Sequence, residues 1–529
     1  MKIINLLLPI FLGSFSLFAQ NDDIGRSSEV KVTKSESYPV VDAVYKSYYP
    51  IDGNSILGVK IQGKNKNKFI FQVFEGPNLN LKHSVTELMV EKSFNFEYIT
   101  EIKDKLYFFY SIFDKQTSTE QLFVRKINKK EGGFESKASL LISVPRKLSL
   151  HYRPSGSGKF LLDVSSTGNV FAIKYRYNPE KKNDSKNVDV IGMQVFDDNL
   201  EKIWGADFTM PYTESLMRQL DFAVDSKGNG FFLIRKYKME ISRKNSQDPT
   251  NESLVVLIAG SDGTLDEVEF SLGEYQTRGD VYMKENKKGD IICAGYYHKP
   301  KSYGVDGTFV SILDSKGNLS DPKLYEFSMD FIKKYDRISE REKKKMEKAD
   351  EKSNLSMSNL RMREVKVLED GGVILAGEIY YITTYTDSKG NTHTSHHYED
   401  VVLVKINADG ALGWMEKLPK SSGFESFRLM ASDHYSYVLY VDHIRNETMT
   451  EEGDVDKEIK GNSYVMAHRI DNQTGEKKYL PLFDWKKIDG TVVYQYSLNR
   501  VIALSESSFA IELYIKKKRD MMFKLDLEE

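Results

Sequence analysis

The chain has 529 residues, with 75 Lys plus Arg against 77 Asp plus Glu, for a formal charge of −2 at neutral pH. So balanced a chain gives no electrostatic footing for nucleic acid or an anionic membrane as partner. Hydrophobic residues make up 40% and aromatic residues 12%, enough for a packed core, and the excess of Tyr (31) and Phe (29) over Trp (3) suits strands.

At the N-terminus, Lys2 precedes an apolar stretch from Ile3 to Phe18, and small or polar residues follow at Ala19-Gln20-Asn21. This is the layout of a cleavable secretory signal, with cleavage expected between Ala19 and Gln20. An uncleaved anchor would need roughly 20 apolar residues, and the run is shorter. No later run is long enough to cross a membrane. Residues 1–19 therefore read as the signal peptide and 20–529 as one domain, exported to the periplasm or the extracellular space, monomeric, with no transmembrane segment. The single cysteine, Cys293, excludes a disulfide framework. Within Asp290-Ile-Ile-Cys-Ala-Gly295 it reads as a small buried hydrophobe.

A short extended piece, Glu29 to Ser35, comes next, and then one motif recurs eight times: a tight turn followed by five or six apolar or aromatic residues. Examples are Gly53-Asn-Ser-Ile-Leu-Gly-Val59, Gly228-Asn-Gly-Phe-Phe-Leu-Ile234 and Ser508-Phe-Ala-Ile-Glu-Leu-Tyr514. A second strand follows each, and the residues just after these strands are Glu75, Asn128, Asp197, Gly260, Asp314, Asn407, Asp471 and Asp526, with spacings of 53, 69, 63, 54, 93, 64 and 55 residues. The spacing of 93 contains a charge-dense stretch of helical composition, 332–362, and without it the period stays near 60 throughout. Each unit has room for four antiparallel strands. In the fifth these are Val281 to Glu285, Asp290 to Tyr297, Thr308 to Leu313 and Leu324 to Phe327.

Four-stranded units repeated in series predict an all-β fold, a β-propeller of eight antiparallel blades, with seven blades or a split propeller as alternatives. The last unit holds only three candidate strands (Gln495 to Leu504, Phe509 to Ile515, Met521 to Leu527), and Glu29 to Ser35 can supply the fourth and close the ring. A row of β-sandwich domains has no use for that mismatch, and no Pro/Gly/Ser-rich linker breaks the series.

Asp370-Gly-Gly-Val-Ile-Leu-Ala-Gly-Glu378, followed by Asp400-Val-Val-Leu-Val-Lys-Ile-Asn-Ala-Asp-Gly-Ala-Leu-Gly-Trp414, resembles the repeat of secreted bacterial β-propeller proteins of the Bacteroidetes type. Val195-Phe-Asp-Asp-Asn-Leu-Glu-Lys-Ile-Trp204 is similar to its second half. The resemblance implies a fold and an exported location but no activity, because such propellers host unrelated functions.

Asp-Ser-Lys-Gly-Asn occurs at 225–229, 314–318 and 387–391. Lys occupies a would-be ligand position for Ca²⁺, so the motif reads as turn chemistry, with Asp capping and Gly at positive φ. Asn407 to Trp414 is similar to the Asp-box of sialidase-like propellers, which is structural. His393, His396 and His397 form the one histidine cluster, which reads as a solvated polar loop in preference to a shared Zn²⁺ or Cu²⁺ site. Glu340 to Lys352 mixes charge signs at helical spacing, as a solvated helix does, with a protein-docking helix as the alternative. No nucleophile elbow, phosphate-binding glycine loop or zinc-protease helix is present. The expectation is therefore no catalytic, metal or cofactor-binding residue and no cofactor.

Loop length carries the functional signal. Connections between second and third strands are long at Asn178 to Asn187, Lys238 to Glu252, Tyr385 to Glu399 and Asp442 to Asn462, and shorter at Lys299 to Asp306. These and the 332–362 stretch belong to one face of the disc, where binding is expected. The sequence thus points to an exported, non-catalytic binding or scaffolding propeller with an unidentified protein or glycan partner. The alternative is a propeller-type hydrolase or lyase acting on an extracellular glycan.

Overall fold

Second strands of the repeats are apolar on both sides because each is covered from both sides. Ser55–Gln62, Val170–Arg176, Ile291–His298 and Ser508–Ile515 are buried along almost their whole length. The fourth strand of the first unit, Asn80–Leu88, instead alternates between exposed and partly covered positions, as an outer strand must. The computed structural model describes residues 27–63, 67–89, 94–150, 157–179, 181, 185–242, 248–335, 356–420, 426–443, 463–484 and 486–527. The expected cleavage site, Ala19 and Gln20, lies outside the described residues.

The fold is an all-β propeller. Six separate four-stranded antiparallel sheets, numbered here 1 to 6, begin with Tyr45–Asp52, Asn95–Ile102, Phe160–Val164, Met217–Val224, Gln276–Glu285 and Leu360–Val367. The remaining strands form one eleven-stranded sheet. The expectation of eight, or seven, separate blades is thus corrected to six. The cause is a small hairpin, Lys487–Ile488 with Thr491–Gln495, which pairs back to Asp484 on one side and on to Ser508–Ile515 on the other. It joins two runs of strands into a continuous ladder. The expected ring closure is present: Val30–Lys34 pairs antiparallel with the last strand, Val30 opposite Leu527 and Lys34 opposite Phe523.

Hydrophobic cores lie between successive sheets. Leu57, Phe69 and Phe71 of sheet 1 meet Phe96, Leu106 and Phe108 of sheet 2. At the closure, Tyr48, Ile56 and Phe74 meet Ala510 and Met522. A further core lies between the two halves of the eleven-stranded sheet, with Leu439 and Val465 packed among Ile511 and Leu513.

Two other expectations change. Only a short helix, Met329–Lys333, capped by Ser328, stands at the start of the expected 332–362 helical insertion. Residues 336–355 lie outside the described residues, and Leu360–Val367 is already the first strand of sheet 6. Tyr385 to Glu399 is a β-ribbon rather than a loop, because Val373–Thr386 and Thr392–Ile406 pair through to Thr386 opposite Thr392. Its Tyr and Thr residues favour the extended backbone.

Candidate functional site: an arginine-lined mouth

First strands of neighbouring sheets 3 to 6 touch one another in series and so line the axis. Those of sheets 4, 5 and 6 are each bulged near their beginning. The register shifts at Gln219/Asp221, at Arg278/Val281 and at Met362/Glu364. In sheet 5 the extra residues are Gly279, at φ +81°, and Asp280. Bulges of this kind re-aim side chains where a sheet ends. Here they surround a cavity of about 660 Å³ lined by Arg218, Arg278, Arg361 and Arg363, with Asp280 and Tyr303 on its wall.

The cavity opens on the face predicted from loop length. Tyr303 to Val305 belong to the connection Lys299 to Asp306, and Met357 to Asn359 lead into sheet 6 from the insertion. Val305 and Met357 hold these two segments together through reciprocal backbone hydrogen bonds of 2.9 and 2.8 Å.

Two of the four guanidinium groups are fixed from behind. Arg278 donates to the Tyr303 carbonyl at 2.9 Å. Arg363 Nε donates to Glu378 at 3.1 Å, and both Arg361 and Arg363 lie over the Tyr380 ring, 5.1 and 4.9 Å from its centre. Glu378 is fully buried and also accepts from Lys420 and Ser426, each at 2.8 Å, so its charge is already matched. Burial pushes the Lys420 ammonium below its usual range, against the pull of Glu378. Among the described residues, Asp280 is the one carboxylate that opposes the arginines in the cavity lining. Its 3.8 Å approach to Arg218, with both side chains more than 60% exposed, is a weak surface contact. The mouth is cationic although the whole chain is not.

Along the axis, Asp163 of sheet 3, Asp221 of sheet 4 and Lys284 of sheet 5 form a second cluster. Lys284 pairs with Asp163, whose other oxygen accepts from the Val224 N–H at 3.1 Å. Asp221 accepts from the Met283 and Phe222 N–H groups, and burial pushes its carboxyl up to about 6. Glu285 accepts from the Ser166 and Ser226 N–H groups at 2.6 and 2.7 Å, tying three sheets together. These carboxylates are consumed by backbone donors, which marks them as braces of the axis.

The sequence motifs fall where turn chemistry puts them. In all three Asp-Ser-Lys-Gly-Asn copies the Asp side chain accepts from the N–H groups two and four residues on, and Gly228, Gly317 and Gly390 have φ of +89°, +86° and +82°. Trp414 ends the Asp-box-like stretch by donating to the Asn472 carbonyl at 3.1 Å in the next sheet, and Trp204 donates likewise to Gly228 at 2.7 Å. The histidine cluster is divided. His393 and His397 share one side of the ribbon, opposite Tyr385 and Tyr381, while His396 lies on the other side, bonded to the Tyr380 hydroxyl at 2.8 Å. No group of residues suited to a metal ion occurs among the described residues. Cys293 is fully buried, as expected.

The arginines of the mouth were not singled out from the sequence. A signal was present: Met217-Arg218, Thr277-Arg278 and Leu360-Arg361 place a basic residue just inside the first strand of three successive units.

No family model and no curated protein matches this chain. Solved structures similar to it include polysaccharide lyase Uly1 (9% identity, 91% of this chain and 90% of that one, TM-score 0.38). Others are the β-propeller domain of the trilobed protease from Pyrococcus furiosus (10%, 83% and 99%, TM-score 0.35) and the WD40 domain of SCAP from fission yeast (8%, 95% and 95%, TM-score 0.34). At this similarity none of the activities in those names carries over.

Proposed function

We propose that this chain is an exported, non-catalytic binding propeller that engages an anionic partner, protein or glycan, through its long-loop face. One observation carries the reading: four arginines from three successive inner strands converge on a single cavity at the mouth of the axis. Planar guanidinium groups held by carbonyl, carboxylate and ring contacts are pre-organised for bidentate recognition of carboxylate or sulfate. Export is proposed from Lys2, the Ile3 to Phe18 stretch and the Ala19-Gln20 junction.

A hydrolase or lyase would need an acid and a base converging in that cavity. Among the described residues, its lining carries one carboxylate, Asp280, which is more than 60% exposed and faces Arg218, while Asp221 spends its oxygens on the N–H groups of Met283 and Phe222, and this favours the binding role.

The test is capture of envelope-fraction ligands by the tagged intact protein and two double variants. Arg278→Ala/Arg361→Ala should lose capture. Lys288→Ala/Lys316→Ala, in short turns of the opposite face, should retain it. The reverse pattern would overturn the assignment.

A further inference from the structure

We infer that the ligand of this face is an acidic polysaccharide, carboxylated or sulfated, whose anionic groups occupy two cavities at once. The inference rests on the binding role proposed above and names its ligand class. A second cavity, of about 550 Å³, lies in sheet 3 on the same face, at the connection between Val170–Arg176 and Val188–Asp197. Its lining holds three cations, Arg146, Lys181 and Lys186, and one carboxylate, Asp189, which Arg176 already pairs at 2.7 Å. It also carries an aromatic ring, since the Arg146 guanidinium lies 5.6 Å from the centre of Tyr177. The mouth repeats this pairing of cation and ring, with Arg361 and Arg363 over Tyr380 and with Tyr303, 80% exposed, on its wall.

A short piece of chain connects the two cavities. Asn187 lines the second cavity, and its carbonyl accepts from the Glu214 N–H at 2.9 Å. Four residues further on, Arg218 lines the first. A segment of that length spans at most about 14 Å, a distance a short oligosaccharide bridges.

Each cavity is of small-molecule size and offers cations, and at the mouth the exposed Tyr303 adds a ring that can cover the face of a sugar, whereas Tyr177 is only 6% exposed and backs Arg146. A chain of ring-sized units bearing regularly placed anions fits two separate cavities. A broad protein interface would instead call for an apolar patch, and a nucleic acid for a continuous basic stripe along which a backbone runs, where this face offers two separate clusters. Filling both cavities with one polymer makes the second contact intramolecular, and linkage of this kind strengthens binding by about 100-fold or more.

Calorimetric titration tests the inference, with polygalacturonate, dextran sulfate, neutral dextran and polyglutamate as probes and digalacturonate or a sulfated disaccharide as the short counterpart. The full protein is compared with Arg278→Ala/Arg361→Ala and Arg146→Gln/Lys181→Ala, each first shown to unfold at the wild-type temperature. At least one acidic polysaccharide should bind and neutral dextran should not. Either double variant should weaken polymer binding about 100-fold, while the disaccharide should bind the sheet 3 variant and the wild type equally. Polymer affinity unchanged in the sheet 3 variant would overturn the two-cavity inference alone. Polymer affinity unchanged in the mouth variant would overturn the binding role itself. Polyglutamate binding as tightly as the polysaccharides, or no acidic polysaccharide binding, would overturn the ligand class.

Discussion

Lys60 and Glu512 form an ion pair across the closure of the ring, 452 residues apart in sequence, with neither side chain reaching solvent. Lys60 lies in the second strand of sheet 1, and Glu512 lies in Ser508–Ile515 of the eleven-stranded sheet. Lys46 approaches Glu512 and Asp520 at 3.2 and 3.3 Å, and the Tyr38 hydroxyl donates to Glu512 at 2.8 Å. The site where the two ends of the propeller meet is therefore polar at its centre and apolar around it.

Removing one partner of a buried pair costs about 3–5 kcal/mol when the charge left behind is unmatched, but here Lys46 still reaches Glu512 at 3.2 Å and Asp520 still lies 3.7 Å from Lys60, so the remaining charge stays partly matched. Lys60→Met or Glu512→Leu alone should therefore lower the unfolding free energy by less than that, about 1–3 kcal/mol. The double variant should recover most of the loss, because Lys46 keeps Asp520. Denaturant titration of the four proteins measures this coupling, and additive losses would show that the pair is not a unit. Burial opposes ionisation of Glu512, but Lys60 and Lys46 outweigh it and hold the carboxyl down at about 2. A depressed acid adds stability above its unfolded value, so the pair's contribution should disappear as pH falls from about 4.5 toward 2.

Val30–Lys34 should be indispensable to the closed ring. Removing residues 27–36 strips the last strand of one of its neighbours, with Ser508–Ile515 kept on the other side, and leaves Leu525 and Leu527, now buried, beside an open edge. The truncated protein should melt at a clearly lower temperature and elute partly as oligomers in size-exclusion chromatography. A monomer of unchanged melting temperature would mean that the closure is dispensable.

The closure was legible in the sequence because strand count and period are backbone quantities. Glu29 to Ser35 alternates residues as a strand does, and the last unit lacks one. The fifth unit shows the same accuracy, its expected second strand Asp290 to Tyr297 being Ile291–His298. Two features were hidden for physical reasons. Lys487–Ile488 and Thr491–Gln495 are too short to show a periodicity, yet they merge the blades into an eleven-stranded sheet. His393 to Tyr398 is polar on both sides, and polar residues carry no alternation to mark a ribbon that projects from the sheet. The arginine mouth depends on bulges at Gly279-Asp280 and Arg363, and register shifts leave no trace in apolar spacing.

Asp221 should make stability depend on pH with the opposite sign to Glu512. Its carboxyl is pushed up to about 6 by burial, against the attraction of Lys284. A raised acid binds its proton more tightly in the folded state, so its unfavourable contribution is absent below about 4 and grows as pH rises through 6. Asp221→Asn keeps an acceptor for the Met283 N–H and removes that titration. The variant's stability relative to wild type should climb by about 1–2 kcal/mol between pH 4 and pH 6.5, allowing for partial exposure of the residue. Melting curves across that range decide the matter, and a constant difference would contradict the assignment.

Gly475 and Trp414 give the sharpest steric test of how one blade docks on the next. Trp414 lies in Leu412–Leu418, the fourth strand of sheet 6, and donates to the Asn472 carbonyl, so its indole lies against the turn that carries Gly475 at φ +77°. A Cβ at Gly475 would stand 2.7 Å from Trp414 Cγ, and the indole, only 7% exposed, has no open space into which to withdraw. Gly475→Ala therefore combines left-handed backbone strain, about 1–2 kcal/mol, with displacement of a packed ring, for a total loss of about 3 kcal/mol or more. Gly317 provides the control: its φ is +86° and nothing lies within 4 Å of its added Cβ, so Gly317→Ala carries the backbone strain alone. Trp414→Phe should relieve little of the extra cost in the Gly475→Ala background, since the Cβ, Cγ and Cδ1 atoms that the added methyl meets are kept by the smaller ring, whereas Trp414→Gly, which removes all three, should erase the steric part. Equal losses for Gly475→Ala and Gly317→Ala in chemical denaturation would show that Trp414 does not fix the spacing between the two sheets.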